Sequence, residues 1–418
     1  MKVMKDSGIA WVGIIPSHWI IHPVYYYFGE RKNKNKFGQE ENLLSLSYGK
    51  IIRKDINTSE GLLPESFNTY NIVEKGDIVI RPTDLQNDKR SLRTGLVQER
   101  GIITSAYICL KPIKDIDSRF FNYQLHSYDV IKVFYNMGNG VRQGLNFSEF
   151  SHLLVFEPPL DEQKRIADYL DAKCAEIDAL TADIQAQIDI LEQYKRSVIT
   201  EAVTKGLNPD AEMKNSGIQW IGMMPSHWDC IRGKYILKYI QKPVREDDGV
   251  ITCFRDGEVT LRSNRREDGF TVADKEIGYQ GIDVGDLVVH GMDGFAGAIG
   301  ISDSRGKASP VLNVMDTKQN KSYIMYFLRS MAYSDVFLAL ATGIRVRSCD
   351  LRWNKLAELF YPVPPIEEQD AIVQYIDDVL RKVNEVIAQK KDQLSVLEAY
   401  KKSLIFEYVT GKKEVPLA

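Results

Sequence analysis

Two long stretches of the chain repeat apolar residues at a helical period. After Asp161 the row comprises Leu170, Ile177, Ile184, Leu191 and Val198, one every seven residues. A second stretch carries Ile376, Val383, Leu397 and Leu404 at the same spacing, interrupted by Lys390. This period predicts helices that pair along one seam, and about 43 residues at ~1.5 Å each give a helix of ~65 Å. We expect an antiparallel pair that serves as a coiled-coil-like spacer.

The segments that precede these helices mix strand and helix signals. Apolar runs bounded by Gly, Asn and Asp predict strands at 43–48, 77–81, 102–110 and 153–156. Apolar residues at helical spacing predict helices over 118–135 and 322–338. Each head is therefore expected to be an α/β domain of mixed α+β type.

The whole pattern occurs twice. Residues 4–19 (MKDSGIAWVGIIPSHW) and 213–228 (MKNSGIQWIGMMPSHW) are identical at 11 of 16 positions. Pro-Pro pairs at Pro158 and Pro364 then precede the two long helices, with Asp or Glu in the first turn, as is typical of helix starts. Such self-similarity predicts a protein with pseudo-two-fold symmetry.

Between these matching parts the two copies share almost no identity. The predicted organisation, in chain order, is a first globular domain at 1–157, a central spacer helix at 158–206, a second globular domain at 207–363 and a C-terminal spacer helix at 364–412. The two heads are expected to share a frame and to differ in the side chains that they carry.

The charge of the chain is informative only when it is counted separately for the heads and the long helices. The 418 residues carry a net charge of −3 and 44% hydrophobic residues, which fits a multidomain globular protein. Residues 1–155 hold 20 Lys/Arg against 16 Asp/Glu, whereas residues 156–206 hold 6 against 11. The less acidic heads are thus compatible with a DNA-binding face. No signal peptide or membrane-spanning segment is evident, so we expect a cytoplasmic protein without a membrane partner.

Catalytic and metal-binding motifs are weak. The run Pro209 to Lys214 (PDAEMK) resembles a metal-nuclease motif, but one residue separates its two acids within a linker. The five cysteines form no C-x-x-C pair, and the six histidines show no metal-ligand spacing. His18 and His227 occupy equivalent positions and are expected to pack or to form hydrogen bonds. We expect no catalytic residue, metal or cofactor in this chain.

Basic residues in predicted loops are the remaining functional candidates, because Arg and Lys contact phosphates and Arg recognises guanine edges. The candidates are Lys89, Arg90, Arg93 and Arg142 in the first head, and Arg262, Arg265, Arg266, Arg345 and Arg347 in the second. Arg142 and Arg345 stand out because both heads place an arginine after a glycine and a β-branched residue.

Taken in this order, the motifs resemble the specificity subunit of a type I restriction-modification system, over essentially the whole chain. The resemblance rests on the S-G-I-x-W-[IV]-G-x-x-P-S-H-W openings at Ser7 and Ser216, the P-P-[LI]-[DE]-E-Q helix starts and the two long helices. It implies two target-recognition domains that each bind one half of a bipartite double-stranded DNA site. The helices would fix the gap between the halves, and this chain would be non-catalytic.

The resemblance also implies partners. Two modification subunits would methylate adenine with S-adenosylmethionine, and restriction subunits would translocate and cut DNA using ATP and Mg²⁺. Two other functions remain open: a stand-alone nuclease, and a coiled-coil adaptor that binds proteins only. DNA cleavage by the purified chain with magnesium alone would support the first, and salt-sensitive DNA binding by the complex would exclude the second.

Overall fold

A computed structural model of the chain describes residues 3–57, 66–83, 92–137, 144–265, 277–339 and 351–416. The chain forms two compact units: unit 1 comprises Met1–Ile184 and Asp392–Ala418, and unit 2 comprises Gln185–Lys391. Each unit combines one head with parts of both long helices. The four consecutive domains predicted above divide the chain by sequence, whereas the compact units cut across both long helices.

The α-helices of the described ranges include two that far exceed the others in length. In chain order they are α1 (Ser118–Val130), α2 (Phe147–Phe150), α3 (Leu160–Lys205), α4 (Gly233–Ile236), α5 (Arg262–Arg265), α6 (Lys321–Tyr333), α7 (Val336–Ala339), α8 (Trp353–Glu358) and α9 (Ile366–Val409). Short 3-10 helices lie at Val24–Tyr26, Phe67–Thr69, Val133–Asn136 and Gly294–Ala296. Within these ranges, no helix combines the length and the apolar character that crossing a bilayer requires.

The seam residues of α3 and α9 lie largely out of solvent. Buried members are Leu170, Ile177, Ile184, Val198, Ile376, Val383 and Leu404, and half-buried ones are Leu191 and Leu397. In unit 1, Tyr169 Oη lies 3.2 Å from Tyr408 Oη, and Asp178 pairs with Lys401. In unit 2, Lys390 Nζ donates to Gln187 Oε1 at 2.5 Å, so the lysine that interrupts the seam is satisfied across the helix pair. Within each unit the helices run antiparallel.

The head of unit 1 consists of short antiparallel strands. They are β1 (Met4–Asp6), β2 (Ile14–Pro16), β3 (Ile20–Pro23), β4 (Phe28–Glu30), β5 (Leu44–Ser47), β6 (Lys50–Arg53), β7 (Asn71–Val73), β8 (Ile78–Ile80), β9 (Thr94–Leu96), β10 (Gly101–Ile103), β11 (Ile108–Pro112) and β12 (Leu154–Glu157). One four-stranded sheet has the order β4-β11-β8-β9, and the pairs are β1-β2, β3-β12, β5-β6 and β7-β10.

The head of unit 2 repeats this topology strand for strand. Its strands are β13 (Met213–Asn215), β14 (Met223–Pro225), β15 (Asp229–Arg232), β16 (Leu237–Tyr239), β17 (Ile251–Cys253), β18 (Val259–Leu261), β19 (Gln280–Ile282), β20 (Leu287–His290), β21 (Ile299–Ile301), β22 (Gly306–Ala308), β23 (Leu312–Thr317) and β24 (Phe360–Val363). The sheet β16-β23-β20-β21 corresponds to that of unit 1, and β13-β14, β15-β24, β17-β18 and β19-β22 correspond to its pairs.

Strand β8 shows why this sheet forms in both heads. Its continuous apolar run is covered on both faces: Ile78 and Ile80 enter the main core with α1, while Val79 packs with Cys109 in a smaller core behind the sheet. Strand β20 is divided in the same way between two cores. An apolar run without alternation is therefore the signature of a central strand between two layers.

Three predicted elements are shorter than expected. The run 102–110 forms two strands, because β10 pairs with β7 and β11 pairs with β8 and β4. A turn at Thr104–Tyr107, closed by a backbone hydrogen bond of 3.2 Å, separates them. The predicted helices 118–135 and 322–338 end early, at Val130 and Tyr333. Both are followed by a residue in the left-handed region, Lys132 (φ 65°) and Asp335 (φ 55°), which interrupts the helix.

The repeated P-S-H-W motif holds the ends of the long helices. In unit 1, Trp19 is fully buried and its Nε1 donates to Glu162 Oε2 (3.3 Å), at the start of α3. His18 Nε2 lies 2.9 Å from the same oxygen. Gly411, just after α9, lies against Pro16 and Trp19. We call Pro16–Trp19, Glu162 and Gly411 the clasp of unit 1, because it joins the head to the beginning of one helix and the end of the other.

Unit 2 contains the equivalent clasp, formed by Pro225–Trp228, Glu368 and Gly206. His227 Nε2 lies 2.8 Å from Glu368 Oε2, and Trp228 is fully buried. Gly206 lies against Trp228 and Pro225 just after α3. The expectation that His18 and His227 form structural hydrogen bonds is thus confirmed.

The glutamine that follows each clasp glutamate connects a helix of the head to the start of the long helix. Gln163 Nε2 donates to the Pro158 carbonyl oxygen (2.9 Å), while its Oε1 accepts from the backbone N–H of Asp117 (2.9 Å). Asp117 is the N-cap of α1. In unit 2, Gln369 does the same for Asn320, the N-cap of α6. The P-P-x-x-E-Q motif therefore connects one helix of the head to the long helix.

We expect Gly411→Ala to lower the free energy of unfolding by about 2–4 kcal/mol. Gly411 has φ 67°, and a Cβ there would lie 2.5 Å from Pro16. The alanine therefore destabilises the fold both through backbone strain and through overpacking. Gly13→Ala is the matched control, because its φ is 74° with nothing within 4 Å; it should cost only about 1–2 kcal/mol. Chemical denaturation of both variants measures the difference, and equal losses would show that Gly411 is not closely packed.

Candidate nucleic-acid interface

The predicted DNA-contacting residues fall into two groups. Outside the described residues lie Lys89, Arg90, Arg142, Arg266, Arg345 and Arg347. For these the predictions stand as made. The structure describes Arg93 in the head of unit 1, and Arg262 and Arg265 in the head of unit 2, and their surroundings differ strongly.

Arg93 requires a correction, because its side chain is fully buried. Its Nη1 donates to the carbonyl oxygens of Thr83 (2.5 Å) and Arg81 (3.4 Å), and its backbone N–H donates to the carboxylate of Asp129. The guanidinium therefore holds the chain just after β8 against the chain that leads into β9. A buried arginine needs such acceptors, whereas a DNA contact needs an accessible fork of donors.

Arg265 is fixed beside the β17-β18 hairpin of unit 2. Its Nη2 lies 2.6 Å from Asp256 Oδ2, its Nη1 lies 2.9 Å from Glu258 Oε2, and the guanidinium stacks 4.1 Å from the ring centroid of Phe254. The hydrogen bond to Asp256 raises the pKa of Arg265. Burial acts to raise the pKa of Asp256, but Arg265 outweighs it and lowers that pKa. This ion pair organises the hairpin loop.

An open cleft of about 620 Å³ lies beside the same hairpin. Its lining includes Arg255, Arg262, Arg265, Tyr279, His290 and Asp293. Arg262 Nε donates to Thr252 Oγ1 at 3.0 Å, and Arg255 Nη2 donates to Asp293 Oδ1 at 2.9 Å. Burial raises the pKa of the Cys253 thiol in the wall to about 12, so this sulfur is a protonated packing group. The cleft thus offers guanidinium and carboxylate groups for recognition of a polar surface.

Further guanidinium groups continue from the hairpin to the long helix of unit 2. Arg329 of α6 donates through Nη2 to the Asp256 carbonyl oxygen (2.7 Å) and through Nε to Tyr333 Oη (2.8 Å). Arg196 of α3 lies 5.3 Å from the ring centroid of Tyr333. We call Arg196, Arg265 and Arg329 the arginine row. Such a row of cations is suited to hold successive phosphates of a nucleic-acid backbone.

The corresponding hairpin of unit 1, β5-β6, carries different chemistry. It closes through a two-residue turn, Tyr48-Gly49, with φ angles of 45° and 79°. Tyr48 is 83% exposed although the left-handed region disfavours a side chain of this size. Lys50 Nζ lies 3.0 Å from Asp178 Oδ2 of α3, and Asp178 also pairs with Lys401. The two heads therefore present a tyrosine with lysines in one unit and an arginine cluster in the other.

Tyr48, Arg255 and Arg329 are not among the residues predicted from the sequence to contact DNA. The Tyr-Gly and Arg-Asp-Gly turns are visible in the sequence and could have marked the hairpin tips. Arg329 lies inside an amphipathic helix, where only the fold reveals that it reaches the hairpin. None of the three belongs to the segments that are identical between the copies.

The weak nuclease motif does not assemble into a site. Asp210 lies in a turn in which its N–H bonds to Asn208 Oδ1. Glu212 lies just before β13, and its carbonyl oxygen accepts from the backbone N–H of Ser226. In the part of the chain that the structure describes, no group of three His, Cys, Asp or Glu side chains is placed to hold a metal ion.

Comparisons with known proteins point to the same kind of protein along most of the chain. Residues 28–189 match the family model of the type I restriction modification DNA specificity domain. The putative type I restriction enzyme MjaX specificity subunit of Methanocaldococcus jannaschii is 22% identical, over 97% of this chain and 96% of that protein. Residues 28–189 thus match a type I restriction-modification specificity domain, and the chain is similar to a type I specificity subunit over nearly its whole length.

A second curated protein and a solved structure are also similar to this chain. The type I restriction enzyme MjaVIII specificity subunit of the same archaeon is 24% identical, over 76% of this chain and 75% of that protein. A chain in a solved structure concerning complex assembly and conformational transition of the type I R-M system shares 13% identity and a TM-score of 0.67, covering 96% of this chain and 99% of that chain. At this identity the structural likeness establishes a common fold.

We expect a pH-dependent contribution from His126, which lies beside the hairpin turn of unit 1. Burial, with Lys401 and Lys402 nearby, lowers the pKa of His126 to about 4 from an ordinary 6.5. Between these pH values the unfolded chain binds a proton at His126 that the folded chain does not bind. The contribution of His126 to the free energy of unfolding should therefore fall as the pH drops from 6.5 to 4. Above pH 6.5 this contribution should be constant.

Chemical denaturation across this pH range measures the effect. His126→Gln should flatten the dependence, while His152→Gln, at an exposed histidine, is the control. Equal pH slopes in the wild type and in His126→Gln would contradict the assignment.

Proposed function

We propose that the chain is the DNA-recognition subunit of a type I restriction-modification complex, and that each head binds one half of a bipartite site. One observation carries the proposal: the heads have the same strand order, whereas their hairpins carry different side chains. Equivalent frames let both heads dock on DNA in the same manner, and different side chains then select different bases.

Contacts to DNA would divide between phosphates and base edges. In unit 2 the arginine row supplies cations between the hairpin and α3, and in unit 1 Lys50 and Lys401 both pair with Asp178 near the hairpin. Acidic side chains hold Arg265, Lys50 and Lys401, and Tyr333 contacts Arg196 and Arg329, which reduces the rotamer entropy lost on binding. Local rows of this kind support binding although the net charge of the chain is −3.

We infer that the chemistry belongs to partner subunits. In this proposal the modification subunits bind S-adenosylmethionine and methylate adenine, and restriction subunits use ATP and Mg²⁺. This chain would then contribute recognition, and its long helices would set the gap between the two half-sites. No specific observation favours the alternatives of a stand-alone nuclease or a protein-only adaptor.

The long helices carry a repeated pair of exposed apolar patches. In unit 1 the register of α3 and α9 brings Leu180 level with the turn that carries Val396 and Tyr400, and all three side chains are exposed. In unit 2, Val386 lies level with Ile190 and Tyr194, which are also exposed. The members correspond at an offset of 206 residues, with the helices exchanged.

Two equivalent patches are suited to two copies of one partner. Exposed apolar patches that are rimmed by polar residues mark sites of protein–protein contact. We therefore propose that each patch docks one modification subunit. A complex with one recognition subunit and two modification subunits would then follow from the internal repeat of this chain.

Exchange of one head should change one half of the recognised site. Replacing residues 20–155 by the same segment of a homologue alters only the side chains of the first head. Methylome sequencing of cells that carry the chimera should show a bipartite adenine-methylated motif with one half changed and the gap retained. A change in both halves, or in neither, would contradict the division of the site between the heads.

Loss of one apolar patch should change the stoichiometry of the complex. We expect Val396→Lys combined with Leu180→Lys to reduce the number of bound modification subunits from two to one, because a buried unpaired charge opposes docking. Mass photometry of the reconstituted complex measures this number. Gln389→Lys places one lysine at an exposed polar position of α9 and should retain two modification subunits. Retention of both subunits by the double variant would refute this docking site.

A further inference from the structure

The arginines around the β17-β18 hairpin differ in how many donors remain for DNA. Arg265 already uses Nη1 and Nη2 on Asp256 and Glu258 and stacks on Phe254, so its fork is occupied. Recognition of guanine requires two parallel N–H donors directed at O6 and N7. Arg265 therefore organises the loop and is not itself suited to recognise a base.

Arg255 differs from Arg265 in its exposure and in the number of donors that it still has available. Its side chain is 65% exposed at the wall of the cleft. Within the described residues its guanidinium makes one hydrogen bond, from one N–H of Nη2 to Asp293 Oδ1 at 2.9 Å. The second N–H of Nη2 remains as a donor, and it forms a parallel pair with an N–H of either Nη1 or Nε. It lies in the loop between the two strands of the hairpin. Of the hairpin arginines, Arg255 thus combines exposure with available donors.

Asp293 is itself held in place, and it therefore orients Arg255. The backbone N–H groups of Met292 and Asp293 both donate to His290 Nδ1, at 3.2 Å and 3.0 Å. Burial lowers the pKa of His290, which keeps this nitrogen available as an acceptor. The Asp293 carbonyl oxygen accepts from Ala296 N–H at 2.9 Å, closing the loop. A guanidinium oriented in this way loses little rotamer freedom on binding.

We propose that Arg255 determines specificity for a guanine in the half-site bound by the second head. Its guanidinium donates to guanine O6 and N7 in the major groove, and Asp293 beside it accepts from N4 of the paired cytosine. An adjacent arginine and aspartate thus match the donors and acceptors of one G·C pair. The equivalent hairpin of the first head has the Tyr48-Gly49 turn, so this recognition belongs to one half-site only. The inference rests on the proposed function.

The test uses the full chain in complex with its modification subunits, with binding measured on duplexes that carry the motif defined by methylome sequencing. Arg255→Ala should lower affinity for the cognate duplex by about 5- to 150-fold and abolish the preference for guanine at one position of the second half-site. Arg255→Lys keeps the charge without the fork and should lose the same preference. Arg232→Ala is the control, since Arg232 is also partly exposed and paired with an acid, Glu358; it should bind as the wild type does.

A chemical probe locates the contact. Replacing that guanine by 7-deazaguanine removes the N7 acceptor, which should weaken binding by the wild type and leave binding by Arg255→Ala unchanged. Three results would overturn the proposal: wild-type affinity in Arg255→Ala, a loss that is uniform over all sequences with a shallower salt dependence, or full guanine preference in Arg255→Lys. The uniform loss would identify a phosphate contact. Absence of any bipartite preference in the wild-type complex would instead refute the proposed function.

Discussion

The hydrogen bond from a buried tryptophan to a glutamate at a helix start is the contact on which unit 1 depends. Trp19 fills the space between the head and the helix ends, and Glu162 joins it to α3. Gly411 is needed because a Cβ at this position would lie 2.5 Å from Pro16 and 3.0 Å from Cη2 of the indole ring. In unit 2 the buried Trp228, Glu368 and Gly206 stand at the same points, and there the glutamate is held by His227. The clasp thus explains why the most similar segments of the two copies are short and far apart in sequence.

A frame fixed at the clasp leaves the hairpins free to vary. Strands β5-β6 close through two residues, whereas β17-β18 close through a longer loop that arginines and acids hold together. Both hairpins add to equivalent heads without changing the order of the central sheet. The fold therefore separates the residues that define architecture from those that define recognition.

The parts of the fold that rest on periodicity or repetition were predictable. The seven-residue period indicated both long helices, and the Pro-Pro pairs lie directly before α3 and α9. The run 102–110 was misjudged because its β-branched residues conceal the turn between two strands of different sheets. Arg93 and Arg255 are both arginines near turns, yet one is buried on carbonyl groups and the other is exposed. Only tertiary packing separates them, so local sequence could not.

The division of the chain into units has a consequence for its synthesis. Unit 2 is one continuous segment, Gln185–Lys391, whereas unit 1 also needs Asp392–Ala418. A nascent chain that grows from its N-terminus therefore contains every residue of the second head's unit before the first can close its clasp around Gly411. Domains generally fold as units when their residues become available, with the N-terminal one first. In this protein that order is reversed: the head that is made first is the last to be completed.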